Sequence, residues 1–577
     1  MYSTHENVRI VIALLKEYQI RHIVLNPGGT NIPIVQAVQD DDFFHCYSVP
    51  DERSAMYFAI GLHLQTGEKV ATSCTSAQAT RNYLPGLTEA FYKHVPILAI
   101  TTSKLERYEY QDYMQAPDQC SLPRDAVKKS YDLPQVVDVN TRVLCQQRAR
   151  EAMLELTHHT PGPVQLNIRI DDRVQSVFDQ KELPSVRTIK RYEYWDDWSE
   201  LELKGKKILV VIGEHRPFTQ AQTEAIDAFT QRHHAAVYTN NLSNFHGRNT
   251  VQGNLLVSSR RIADSRLCPD IVITVGGQTG DYSIFGALSG LGERTEVWRV
   301  DRGGDVVDTY GRLTKVFVSP DADFFKRTAT VDEVEENNYF TEWETEIQNL
   351  VTDTQLPLSN LYVAQQLHSL IPENSYINFA ILNSLRCWNY FPLKASVKGF
   401  ANVAAFGIDG CTSMLVGESM NTEELCFLVT GDLAFFYDMN ALGIRHIRKN
   451  VRILLINNHT GAEFRVMTRP WKDKVKLDQF VAASGHNGTA KGWAEDCGFV
   501  YLSATTKEEF EEKKFIFVAP SEQPVVFEVT TNPDDEVKAI QELIGSNSNE
   551  PAHTPKAILK KVLGPAGTAL VKNLIKQ

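Results

Sequence analysis

Among 577 residues there are only nine cysteines, scattered without a Cys-x-x-Cys pair. Neither a zinc site nor a disulfide framework is therefore indicated. No apolar run approaches the roughly 18 residues that a membrane span needs. The opening stretch MYSTHENVRIVIALLKEY has no basic region followed by an apolar core, so it reads as a first helix rather than a signal peptide. Positive charge is also in deficit: 59 Lys and Arg face 71 Asp and Glu, a net charge of −12. That argues against a nucleic-acid surface. These absences lead us to expect a soluble, cytoplasmic protein with no membrane or nucleic-acid partner.

Short apolar runs alternate with longer amphipathic stretches along most of the chain, the pattern of βαβ units and parallel sheets. Two stretches interrupt it. RYEYWDDWSELELKGKK (191–207) is charged and aromatic, and TVDEVEENNYFTEWETE (330–346) is acidic. They divide an α/β chain into three doubly wound parallel-sheet domains, 1–188, 196–328 and 355–545, with a basic helical appendage at 546–577. The middle domain has ILVVIG, AAVYT, IVITVGG and EVWRVD as strands. The first and third repeat one plan. EKVATSCTSAQATRNYLPGLTEAFYKHVPILAITT and FLVTGDLAFFYDMNALGIRHIRKNVRILLINN each run strand, polar turn, helix, strand. Each also follows a helix of small residues. Such repetition implies two similar sheets facing a shared ligand.

In doubly wound sheets, ligands bind beyond the carboxyl ends of the strands. Two apolar strands end there in polar residues, LCFLVTGD at Asp432 and RILLINN at Asn458, 26 residues apart. Both supply hard oxygen ligands, which suit Mg²⁺ or Ca²⁺ rather than zinc. Gly431 with the amides of Leu433 and Ala434 opens a helix, where a phosphate is favoured. Asp432 then anchors a metal that anchors a diphosphate, or it is simply a helix N-cap.

Gly-Asp, about 26 residues, then Asn-Asn after an apolar strand resembles the diphosphate motif of thiamine-diphosphate enzymes. The resemblance implies thiamine diphosphate and Mg²⁺ as cofactors, with Asp432, Asn458 and the Thr460 carbonyl as metal ligands. Leu433 stands where that motif has glycine. GDLAFFYDMNAL, FGIDGCTS and PDIVITVGGQ further resemble the MenD branch, typified by the menaquinone-pathway synthase of 2-succinyl-5-enolpyruvyl-6-hydroxy-3-cyclohexene-1-carboxylate, over residues 5 to 530. The family's catalytic glutamate matches Glu52 in YSVPDERSAMYF. Its carboxyl group would serve the cofactor's aminopyrimidine, general acid–base work by a buried acid. Ile408 is expected to prop the bent cofactor, Gly28 in NPGGTNIPI to line its pocket, and Gln111 to lie near the reacting centre. Without the resemblance, Glu52 reads as a first-turn helix charge, Ile408 as core and Gln111 as an exposed loop residue.

The branch grips two carboxylate-bearing substrates through arginines, whose forks suit carboxylates. Here those positions are Gly29-Thr30, Val403, Trp388 and Lys104, with Arg386 two residues before Trp388. The loop TSCTSAQATRNY is also longer than the family's and lacks its glycine. In NNHTGAEFR, Glu463 is the candidate second acid/base, or else a solvated loop charge. The expected activity is decarboxylation of a 2-oxo acid donor with transfer of the resulting carbanion to an acceptor, a carboligation other than the menaquinone reaction. A non-ligating decarboxylase, a hydroxy-ketone lyase and an inactive cofactor-binding scaffold or sensor remain open. The resemblance also implies a homodimer or homotetramer with active sites at the subunit interface.

Overall fold

The computed structural model describes residues 1–171, 177–263, 265–330, 337–466 and 479–548. Most of the expected appendage, 549–577, thus lies outside the described residues. The chain forms two compact units, one of residues 1–193 with 304–316, the other of 194–303 with 317–577.

The first unit is built on six parallel strands. They are β1 (His22–Leu25), β2 (His45–Ser48), β3 (Val70–Cys74), β4 (Ile97–Ser103), β5 (Ser130–Leu133) and β6 (Val164–Arg169), in the order β2-β1-β3-β4-β6-β5. β3, β4 and β6 are buried at every residue, as strands covered by helices on both faces must be. The opening stretch is a helix, Glu6–Glu17. Helix Glu52–Thr66 starts where Asp51 accepts the Ser54 amide, and it stops at Gly67, whose φ of 72° favours a residue without Cβ. A short strand, β7 (Lys190–Tyr192), closes this stretch of chain.

The second unit holds two sheets. The four strands expected in the middle domain all form: β8 (Ile208–Ile212), β9 (Ala236–Thr239), β11 (Ile271–Val275) and β12 (Glu296–Asp301), together with β10 (Thr250–Gln252). They run parallel in the order β10-β9-β8-β11-β12. After β13 (Leu313–Val318) the chain enters a last parallel sheet. Its strands are β14 (Tyr376–Phe379), β15 (Lys398–Ala401), β16 (Cys426–Gly431), β17 (Val451–Asn457), β18 (Val500–Ala504) and β19 (Val525–Thr530). Their order, β15-β14-β16-β17-β19-β18, is that of the first sheet, strand for strand. The turn after β16 is thereby the topological counterpart of the turn after β3. This is the repeat anticipated from the sequence.

β17 is an unbroken buried run, VRILLIN, at the middle of this sheet. Its one charge, Arg452, is fully buried and donates to the carbonyls of Lys449, Val451, Phe517 and Ala519 at 2.7–3.1 Å. Burial pushes this guanidinium down to about 10. Among the described residues no helix is long and apolar enough to cross a membrane.

Candidate active site

β16 and β17 deliver their last residues side by side. Asp432, 2% exposed, begins a helix of only six residues, Asp432–Tyr437. Its Oδ1 accepts the Leu433 amide at 2.7 Å, and its Oδ2 accepts the Thr460 amide at 3.2 Å. The Thr460 amide also points at Asn458 Oδ1, 3.3 Å away. Between the last two residues His459 takes a left-handed φ of 59°. The Thr460 amide thus lies against the side-chain oxygens of Asp432 and Asn458, so the three residues expected at the metal are neighbours, and a carboxylate and an amide oxygen suit a hard divalent cation. Burial pushes the Asp432 carboxyl up, while the Leu433 amide and His486 pull it back. A carboxylate so enclosed is stabilised by a positive partner. Beside it, a Cβ built on Gly431 would meet nothing within 4 Å. The cradle is open where the diphosphate is expected, and the group fits.

His486 had no signal in the sequence. Its Nε2 lies 3.2 Å from Asp432 Oδ2, and its ring stands edge-on to Phe436 and His459. Asn457 explains how it arrives there. The Asn457 amide donates to the Gly488 carbonyl at 2.9 Å and to Glu528 at 2.6 Å, and Glu528 in turn holds the Ala490 amide at 2.9 Å. One member of the Asn-Asn pair thus serves the cluster, and the other fastens the segment that brings His486 to it. Ala434 is packed into the core. Ile408 is 37% exposed in the turn between β15 and helix Cys411–Glu418, flanked by left-handed Phe406 and Gly410.

Glu463 is not a solvated loop charge. It opens the short helix Glu463–Val466 and takes both arms of Arg386, at 2.7 and 2.8 Å. A bidentate fork of this kind fixes both side chains in place. Arg386 is thereby engaged within the protein, while Val403 and Trp388 are wholly buried in the core of the last sheet.

In the first unit, Glu52 is the first residue of its helix, and its Oε2 accepts from Asn82 Nδ2 at 3.0 Å. Asn82 ends a short helix, Gln78–Asn82, that follows the loop lacking glycine. Ala77 there takes a φ of 71°, a conformation costly for any residue with a Cβ. Gln119, 1% exposed, braces it by accepting the Ala77 amide at 2.6 Å while donating to Thr80 and the Thr102 carbonyl. Gly28 is required by this loop's approach: a Cβ there would stand 2.2 Å from that of Thr75, at a φ of 155°. Thr30 ties the two segments together, bonding Thr75 at 2.9 Å and Thr102 at 2.8 Å. Gln111 is exposed between left-handed Tyr110 and Asp112. Its loop is anchored through Glu109 to Arg169, which also forks Asp132.

The duplicated sheets and the acid–amide cluster define a thiamine-diphosphate-dependent enzyme, a class that works with that cofactor and a divalent metal ion. Residues 6–122 match the family model described as thiamine pyrophosphate enzyme, N-terminal TPP binding domain. A 2-succinyl-5-enolpyruvyl-6-hydroxy-3-cyclohexene-1-carboxylate synthase of Phocaeicola vulgatus is 34% identical over 558 residues, covering 94% of this chain and 98% of the relative. The synthase of the same name from Bacteroides thetaiotaomicron is 31% identical, covering 94% and 99%. That from Flavobacterium johnsoniae is 25% identical over 90% and 95%. The chain belongs to this synthase family, the MenD-like branch of the thiamine-diphosphate enzymes.

Proposed function

We propose that the protein is a Mg²⁺-dependent carboligase that decarboxylates a 2-oxo acid and passes the remaining fragment to an acceptor. What supports this reading is that the side-chain oxygens of Asp432 and Asn458 both lie within hydrogen-bond reach of the Thr460 amide, at 3.2 and 3.3 Å. Thiamine diphosphate supplies, when bound, a thiazolium carbon that acts as nucleophile and electron sink. Asp432, Asn458 and the Thr460 carbonyl would hold the metal, and Gly431 with the amides of Leu433 and Ala434 would receive the diphosphate. Glu52 would hold or give up a proton at the aminopyrimidine, Ile408 would support the cofactor, and Gly28 would line its pocket, where the missing Cβ lets Thr75 approach. Gln111 orients the substrate. Glu463 keeps Arg386 fixed and ionised, a role that its bidentate pairing favours over proton transfer. As in the family, the first sheet of one subunit and the last sheet of another complete each site, so the unit of activity is a homodimer or homotetramer.

The acceptor differs from that of the menaquinone reaction. Val403 and Trp388 offer no charge, and Arg386 is already paired. Losing bidentate carboxylate contacts costs a few kcal/mol, about 100-fold or more in affinity. The test is a screen of 2-oxo acids for CO₂ release with cofactor and Mg²⁺, with and without candidate acceptors, isochorismate included. A coupled product from an acceptor other than isochorismate supports the reading, whereas efficient use of isochorismate and 2-oxoglutarate overturns the acceptor assignment. Free aldehyde without coupling assigns a simple decarboxylase instead. The Glu52→Gln variant should retain the cofactor and lose at least about 100-fold in turnover. Undiminished turnover removes Glu52 from its role.

A further inference from the structure

Asp432 Oδ2 has a neighbour that the Gly-Asp and Asn-Asn segments do not supply. His486 Nε2 lies 3.2 Å from it, and the tautomer this contact needs is set on the other side of the ring. The Gly488 amide donates to His486 Nδ1 at 3.3 Å, so Nδ1 accepts and the proton of a neutral imidazole sits on Nε2. Nε2–H therefore donates to Asp432, and no charge on the ring is required. Packing fixes the ring as well. It stands edge-on to the Phe436 ring at 5.6 Å and to the His459 ring at 5.3 Å. Phe436 belongs to the helix that Asp432 opens. A Cβ on Gly488 would stand 3.2 Å from Phe436, so its absence lets the ring close on this turn.

The segment that carries His486 is fastened on both sides. Before it, the Ala482 carbonyl accepts the Gly461 amide at 2.6 Å and the Thr460 hydroxyl at 3.3 Å, and the Gly485 amide donates to the His459 carbonyl at 3.1 Å. After it, Asn457 holds Gly488 and Glu528 holds Ala490, and the Tyr501 hydroxyl donates to the same Glu528 at 2.9 Å. Asp432 then receives three donors: the Leu433 amide on Oδ1, with the Thr460 amide and His486 on Oδ2. Two of these are main-chain groups, which almost any residue at 433 and 460 would supply. Only the third depends on a side chain.

We propose that His486 is a positioning residue for the divalent metal: its Nε2–H holds the Asp432 carboxylate turned to present a free lone pair to the ion, without itself joining the ligands. This inference rests on the assignment of Asp432 to the metal. An ionised carboxylate offers about four lone-pair sites, so these three hydrogen bonds leave room for a cation. The proton on Nε2 keeps the ring nitrogen nearest the acid from coordinating, and the ligands remain oxygens, as Mg²⁺ prefers. Hydrogen-bonding partners of metal ligands typically contribute about 10–100-fold to metal affinity.

The experiment titrates Mn²⁺, a paramagnetic stand-in for Mg²⁺, into the full-length protein with saturating thiamine diphosphate. Free Mn²⁺ is followed by electron paramagnetic resonance, so turnover does not enter the readout. Two variants separate the hydrogen bond from the packing. His486→Phe keeps a ring between Phe436 and His459 but has no donor, and it should bind Mn²⁺ about 10–100-fold more weakly than the wild type. His486→Gln loses the ring but keeps an N–H at similar reach, and it should retain most of the affinity. Full affinity in His486→Phe, or an equal loss in both variants, would overturn the proposal. Spin-echo spectra of the wild-type complex should show no nitrogen bound directly to Mn²⁺; a coordinated nitrogen lost in His486→Phe would make His486 a ligand and overturn it too. Wild-type protein that binds no Mn²⁺ would reject the metal assignment and this inference with it. Wild-type binding that Asp432→Ala abolishes and His486→Phe leaves intact would reject this inference alone.

Discussion

Glu536 provides a test that can be worked through numerically. It lies in helix Pro533–Ser546, 1% exposed, and accepts the Asn360 amide at 3.1 and 3.0 Å and the Thr531 hydroxyl at 2.7 Å. Burial, with Asp432 adding negative charge nearby, pushes its carboxyl up to about 7, although both hydrogen bonds pull it down. The folded protein thus binds this proton more tightly than the unfolded chain does. Stability contributed by the group is complete below the unfolded value near 4.5 and is lost as pH rises through about 7. Integrated between pH 5 and pH 8, the loss is about 2.5 kcal/mol. Glu536→Gln keeps an acceptor for Asn360 and Thr531 but cannot ionise. Subtracting its urea-unfolding free energy from that of the wild type at each pH cancels every other titrating group. The difference should move in the variant's favour by about 2.5 kcal/mol from pH 5 to pH 8. Parallel pH profiles for the two proteins would show that Glu536 ionises freely in the fold and would refute the reasoning.

Three further outcomes are expected. Asp432→Ala, or chelation of the metal, should weaken thiamine diphosphate binding by at least about 100-fold in calorimetry, the upper end of what losing a supporting group costs a metal site; unaltered affinity rejects the metal assignment. Ala77→Gly should raise stability by about 1 kcal/mol, because glycine adopts the left-handed turn without strain while its amide still reaches Gln119. A lowered melting temperature contradicts the strain. Arg452→Ala leaves the carbonyls of Lys449, Val451, Phe517 and Ala519 without this donor and should cost about 3 kcal/mol or more in denaturant unfolding; a neutral effect would mean that water replaces the guanidinium.

What could be read from the sequence follows the range of the interactions involved. β16 and β17 announce themselves as continuous apolar runs, and Asp432 and Asn458 follow them directly, so the cluster was visible in 29 consecutive residues, 432–460. The shared strand order of two sheets was visible for the same reason: each repeat is contiguous in the chain. His486 was hidden because it joins Asp432 across 54 residues, through Asn457 and Glu528, and no local pattern encodes such a link. The Arg386–Glu463 pair spans 77 residues and turned an apparent loop charge into a fixed ion pair. Ala77 shows the converse. The missing glycine was noticed, but only the backbone reveals that the chain keeps the left-handed turn regardless and that a distant glutamine braces it. The grouping of residues 304–316 with the first unit leaves no compositional trace at all.

The two six-stranded sheets follow one blueprint, yet the corner after β16 begins with a buried acid, whereas the corresponding corner after β3 reads Thr75-Ser76-Ala77. The two sheets are thus alike in strand order and unlike in charge at the matching corner. For the metal-bearing end of the cofactor proposed above, the corner after β16 offers a carboxylate and its counterpart after β3 offers none.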